Sequence, residues 1–228
     1  MITRLVNLMM GLMVAMLLMT AAQAADKKLE SEKDKFSYAI GVQLGDTLRR
    51  DGLDVDGAII GQAIKDVLSQ SPLQLTPEQM QAIFKDFQEK KAKEMEAVAN
   101  ENLSKGKAFM AAYAKKKGVK AIDNGLYYKV LTKGSGKKPA AADTVVVNYR
   151  GTLVNGKEFD SSYKRGKPLT IAVNGVIKGW QEILPMMPVG SKWQVVIPSE
   201  MAYGPRGTGG PIGPNETLVF DIELLEIK

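Results

Sequence analysis

The spacing of apolar side chains divides the chain into stretches with different periods. Between Asp34 and about Arg50, Phe36, Ile40, Leu44 and Leu48 recur every fourth residue; between Asp56 and about Leu68, Ile60, Ile64, Val67 and Leu68 do likewise. Each pattern puts one apolar stripe on a helix, so two short amphipathic helices are predicted, joined at an Asp51-Gly52 turn. A pair this small cannot bury a core alone, which implies a partner surface. Gly41 and Gly45, four apart, are either tolerated glycines or a bare face that a second backbone can approach.

A start signal opens the second stretch. Thr76 fits an N-cap, Pro77 the first helical position and Gln79 the position that returns a bond to the cap. No proline interrupts the chain until well past Gly118, and Lys115, Lys116 and Lys117 suit the negative end of a helix dipole. The helix predicted over 76–118 is roughly 60 Å long at 1.5 Å per residue, more than a small domain is wide. Its apolar residues lie near its ends, Met80, Ile83, Phe84 and Phe87 at the start and Phe109, Met110 and Tyr113 at the finish. "QEKKAKE" (88–94) between them has nothing to bury, as expected of a connecting helix with a solvated middle. A continuous coiled coil would need apolar heptads that the sequence lacks.

From Gly125 the period becomes two. Val145, Val147 and Tyr149 share one strand face, Trp193, Val195 and Ile197 another, and Leu218, Phe220, Ile222 and Leu224 a third. Turn residues separate these runs at Gly134-Ser135-Gly136, Asn155-Gly156 and "GPRGTGGPIGP" (204–214), and "GWQEIL" (179–184) is the one helical segment. An antiparallel sheet with one apolar face and one covering helix is predicted, an α+β architecture.

Composition narrows the chemistry. The 228 residues include no cysteine and no histidine, which removes disulfides, thiol nucleophiles, imidazole proton shuttles and nearly every zinc arrangement. The net charge of +6 is mixed lysine and acid, a solvated surface rather than a nucleic-acid footprint. Arg4, the apolar run from about Leu8 to Met19 and Ala22-Gln23-Ala24 read as a secretory signal peptide over 1–24. The run is short for a membrane span of about 20 residues, although an uncleaved anchor is the alternative. The expected order is then a helical region over 25–75 that needs a partner surface, the connecting helix over 76–118 and a sheet domain over 119–228.

Four segments of the last region, "VNYRGTLVNGKEFDSS", "VIKGWQEIL", "MAYGPRG" and "NETLVFDIELLEI", resemble in order the signatures of the FKBP-type peptidyl-prolyl cis-trans isomerases. With "DKFSYAIGVQLGDTLRRDGLDV", the long helix and "AYGPRGTGGPIGPNETLVF", the chain is similar to the Mip (macrophage infectivity potentiator) subgroup of bacterial surface and periplasmic isomerases. The resemblance implies a half-barrel sheet wrapped on one short helix, a deep apolar pocket and a homodimer formed through the N-terminal helices. It also implies proline-containing unfolded or extended polypeptides as substrates, inhibition by macrolides of the FK506 and rapamycin type, and a place in the periplasm or at the outer membrane or surface of a Gram-negative bacterium. A role in virulence comes with that subgroup.

By the same resemblance, Trp180 forms the floor under a proline ring, with Tyr149, Phe159, Val176, Ile177, Ile212 and Phe220 as walls. Tyr203 and Asp160 form a polar rim, Arg165 holds the Asp160 carboxylate, and the amide near Ile177 is a second donor. Leu169 and Ile171 stand where many members carry aromatic rings, and Thr208 where small members carry histidine, which should alter pocket shape and ligand preference. No cofactor or metal is called for, since rotating an X-Pro bond breaks no covalent bond. The alternative to a folding enzyme is a dimeric chaperone or surface client-binding protein with incidental isomerase activity.

Overall fold

The computed structural model describes residues 28–122 and 124–228, and the expected signal peptide lies outside them. The described residues fall into two compact units, one ending at Thr76 and the other spanning Pro77–Lys228.

The first unit contains α1 (Glu32–Arg50) and α2 (Gly57–Leu68). Helix α1 starts two residues before the apolar period does, because Ser31 closes a capping box: its hydroxyl accepts from Asp34 N at 3.0 Å, and the Asp34 carboxylate accepts from Ser31 N at 3.2 Å. Asp56 caps α2, accepting from Ala58 N at 2.7 Å. Neither helix has a buried residue. Phe36, Val67 and Leu68 are 70%, 61% and 80% exposed, so most of the stripes that define these helices is uncovered within one chain.

The second unit opens with α3 (Pro77–Ala114), followed by β1 (Val119–Ala121), β2 (Tyr127–Thr132), β3 (Thr144–Leu153), β4 (Glu158–Ser161) and β5 (Leu169–Ala172). Helix α4 (Lys178–Ile183), β6 (Lys192–Ile197) and β7 (Leu218–Ile227) complete it. The strands are all antiparallel in the order β1-β2-β6-β7-β3-β4, with β5 also paired to β3, and the sheet does not close. Alternate residues of β3, β6 and β7 point inward, and all the predicted inward residues from Val145 to Leu224 are buried. Trp180 and Ile183 of α4, with Leu184 and Met187 after it, cover that face. This is the α+β half-barrel on one short helix.

The β3–β4 turn differs from a two-residue Asn-Gly hairpin. Gly156 has φ +84°, but Asn155 is not in the left-handed region. Gly156 N donates to Leu153 O and Leu153 N to Lys157 O, both at 2.9 Å, which closes a three-residue loop with glycine last.

Helix α3 stops at Ala114, short of the predicted 118, and its two halves have different surroundings. Residues 88–94 are exposed throughout, as their sequence requires, whereas Gly106 and Tyr113 are buried. The Tyr113 hydroxyl donates to Gln194 Oε1 at 3.0 Å, and Gln194 Nε2 donates to Asp221 Oδ1 at 2.9 Å. The last turns of the helix are thus fastened to the outer face of β6 and β7.

Burial, helped by the charge of Asp221, pushes the Tyr113 phenol up to about 12. An unfolded chain releases a tyrosine proton near pH 10, so the folded state holds more protons between about 10 and 12 and stability falls as pH rises through that interval. Urea unfolding at about pH 9 and pH 11 should show this loss, and Tyr113→Phe should reduce it. An identical pH dependence in the variant would count against the buried phenol.

Candidate functional site

Strict alternation along β4 would send Phe159 and Asp160 to opposite faces of the sheet. They nevertheless line one cavity. The register supplies the reason: Gly151 pairs with Asp160 and Thr152 with Glu158, which leaves Phe159 as the extra residue of a β-bulge. A bulge bends its strand and re-aims the side chains beside it. Gly151 is the complement on β3. A Cβ there would lie 2.6 Å from Phe159 Cζ and 2.8 Å from Phe220 Cε1, so the two rings pack over bare backbone.

The cavity holds about 440 Å³ and is lined by Tyr149, Phe159, Asp160, Leu169, Ile171, Gly175, Val176, Ile177, Trp180, Tyr203 and Phe220. Its aromatic part is a set of edge-on contacts. Trp180 meets Tyr149 at 5.3 Å between centroids and 87°, and Phe220 at 5.3 Å and 82°; Phe159 meets Phe220 at 5.6 Å and 85°. Edge-to-face rings hold one another in orientation as well as by buried area. Val176 and Ile177 reach the cavity from the segment before α4, where Gln181 Nε2 donates to Val176 O at 2.7 Å and to Asn174 O at 3.3 Å.

The polar lip is connected. The Tyr149 hydroxyl donates to Asp160 Oδ2, Arg165 donates to Asp160 Oδ1, and Arg165 Nη2 also donates to the Tyr149 hydroxyl at 2.7 Å. Ser161 N donates to Asp160 Oδ1 at 2.8 Å, and the guanidinium lies 5.2 Å from the Tyr149 ring centroid. Burial is the main cause that raises the Tyr149 phenol, with its bond to Asp160 second. Tyr203, 41% exposed, borders the same space, and burial followed by the Asp160 charge raises its phenol too. Both hydroxyls therefore stay protonated through the neutral range, and Tyr203 can donate to a ligand.

Eight of the ten expected site residues share this cavity. Arg165 stands outside its lining but bonds both Asp160 and Tyr149. Ile212, expected as a wall, is 5% exposed within the core and is not among the lining residues. Leu169 and Ile171 line the cavity at the positions where aromatic rings were missed. Gly175 was not anticipated; its only sequence signal is the turn dipeptide Asn174-Gly175. Such a site offers an apolar bed with donors and one carboxylate at its lip, suited to holding and turning a neutral group.

A family model described as FKBP-type peptidyl-prolyl cis-trans isomerase matches residues 135–225, and one described as the domain amino terminal to FKBP-type peptidyl-prolyl isomerase matches residues 33–130. The chain is 45% identical over 214 residues to the outer membrane protein MIP of Legionella longbeachae, covering 92% of each sequence. It is 41% identical over 221 residues to the peptidyl-prolyl cis-trans isomerase Mip of Coxiella burnetii, covering 95% of this chain and 96% of that one. The crystal structure of FkpA from Escherichia coli superposes with a TM-score of 0.63 at 39% identity, over 88% of this chain and 98% of that one.

Proposed function

The chain belongs to the FKBP-type peptidyl-prolyl cis-trans isomerases, of the Mip and FkpA type, and from that premise we propose how its own residues turn an X-Pro bond. The amide resists rotation by about 18–20 kcal/mol because resonance keeps it planar, while its two isomers differ by about 0.5–1 kcal/mol. Only the twisted state needs help. The proline ring lies on Trp180 between Tyr149, Phe159 and Phe220, where it excludes water. The twisted amide is less charge-separated than the planar one, so losing water at its carbonyl favours the twisted form. Tyr203 and the Ile177 amide donate to substrate carbonyls, and Asp160, kept in place by Tyr149 and Arg165, orients the turning group. The single observation that supports this reading most is the convergence of the edge-on rings and the connected lip on one cavity. We expect the full chain to accelerate isomerisation of a chromogenic X-Pro peptide in a protease-coupled assay, and FK506 to suppress it. No acceleration above the spontaneous rate would overturn the reading.

The protein is further proposed to act outside the inner membrane, in the periplasm or at the outer membrane, on extended proline-containing segments. The leader-like sequence of 1–24 and the outer membrane protein among its relatives support this. Among the described residues no helix is long and apolar enough to cross a membrane. The uncovered stripes of α1 and α2 support a homodimer through this region, since neither helix buries a residue within one chain. Sedimentation equilibrium should give a dimer for the chain after residue 24 and a monomer for residues 77–228; a dimeric 77–228 fragment would move the interface elsewhere. A client-holding chaperone with incidental isomerase activity is the second reading, favoured by the exposed Ile83, Phe84 and Phe87 on α3.

A further inference from the structure

A connecting helix needs only length, yet the C-terminal half of α3 is built into the loop that follows Tyr203 of the cavity lining. Asn102 Nδ2 donates to Pro214 O at 2.9 Å, and Asn215 Nδ2 donates back to Ala99 O at 3.4 Å. Four residues beyond Asn102, Gly106 lies against Thr217, which is 3% exposed. A Cβ on Gly106 would stand 2.2 Å from Thr217 Oγ1 and 3.0 Å from Thr217 Cβ, so the Thr217 side chain packs directly on the bare helix backbone. Helix interiors disfavour glycine relative to alanine. Its presence here answers to the close approach.

The seat leads to the lip of the site. Asn215, held in the left-handed region at φ +54°, donates its backbone N–H to Gly204 O at 2.9 Å, and Gly204 follows Tyr203. Within the loop, Thr208 N donates to Ile212 O at 3.0 Å, and the Ile212 side chain is buried in the core. The segment from Gly204 to Thr217 is thus pinned by Ile212 on one side and by α3 on the other.

We propose that Asn102 and Gly106 are positioning residues for Tyr203, so that the last turns of α3 belong to the working isomerase and set its lip through the 204–217 loop. This rests on Tyr203 acting as a donor to substrate. It follows that a cut at residue 119, where the sequence alone puts the domain start, removes part of what shapes the site.

The test uses the full dimeric chain. Asn102→Leu keeps the volume of the side chain and removes its donor. It is expected to lower kcat/KM on an X-Pro peptide about threefold to tenfold, the size of one lost hydrogen bond. Tyr203→Phe is expected to lower it by a similar factor, and adding Asn102→Leu to Tyr203→Phe should then change little, because the positioned hydroxyl is gone. In Asn102→Leu the amides of Thr208 and Asn215 should exchange with deuterium at least severalfold faster. Gly106→Ala should reproduce both effects, and Thr217→Ala in that background should partly restore them. Wild-type turnover in Asn102→Leu, or the same fold-loss in both Tyr203 backgrounds, overturns the proposal while leaving the cavity as the site. Full activity in Tyr203→Phe instead removes Tyr203 from the site and the proposal with it.

Discussion

Replacing Asp160 with leucine should lower kcat/KM for peptide isomerisation by about tenfold to a hundredfold while the protein keeps its fold and its oligomeric state. The carboxylate is the common acceptor for Tyr149, Arg165 and Ser161 N, and the side chain is 42% exposed at the cavity lip. As a half-exposed ion pair its contribution to stability is small, about 0–1 kcal/mol. Leucine has the same branched shape and the half-exposed lip has room for its larger methyl groups, so packing is little disturbed. What is lost is the charge proposed to orient the turning amide and the hold on Arg165, whose remaining bond in this group is to the Tyr149 hydroxyl. Removing one preorganised polar group from a buried reacting centre costs on the order of 100-fold or more, and solvent at the lip reduces that here. A protease-coupled assay beside a urea titration separates the two quantities. Full turnover in the variant would falsify the role of Asp160.

Trp180→Ala should act in the opposite proportion, on stability first. Trp180 is 4% exposed, and the six-residue α4 covers the sheet largely through this side chain and Ile183. Its truncation leaves Tyr149 and Phe220 facing a void where each had an edge-on partner. Removing a buried tryptophan costs about 3–5 kcal/mol, a large part of the roughly 5–15 kcal/mol that holds a domain together. Turnover should fall with it, because the floor of the cavity is gone. Trp180→Phe gives the control: among the described residues the indole N–H has no hydrogen-bond partner, so phenylalanine forfeits volume but no internal bond. Urea unfolding should place Trp180→Phe well above Trp180→Ala, and a loss below 1 kcal/mol in the alanine variant would mean that the site collapses without cost.

The elements were legible because each is written locally. Apolar residues four apart mark α1 and α2, and alternation marks the buried faces of β3, β6 and β7, since a helix or strand repeats with a fixed geometry. The start of α1 was displaced by two residues because Ser31-Asp34 is a capping box with aspartate in place of the usual glutamate or glutamine. The fold and most of the cavity residues followed from four ordered segments.

Tertiary structure decided what no period encodes. Period two separates Phe159 from Asp160, and only the register of β4 against β3 makes Phe159 a bulge and brings both to one cavity. The hydropathy of α3 marks its end as apolar but does not say against what; Gly106 on Thr217 and Asn102 on Pro214 join residues more than a hundred positions apart. By itself the sequence determined the helices, the three strands with the most buried faces and the kind of chemistry open to a chain without histidine or cysteine. Which side chains share a space depends on strand register and on close backbone approach, both set when distant segments meet.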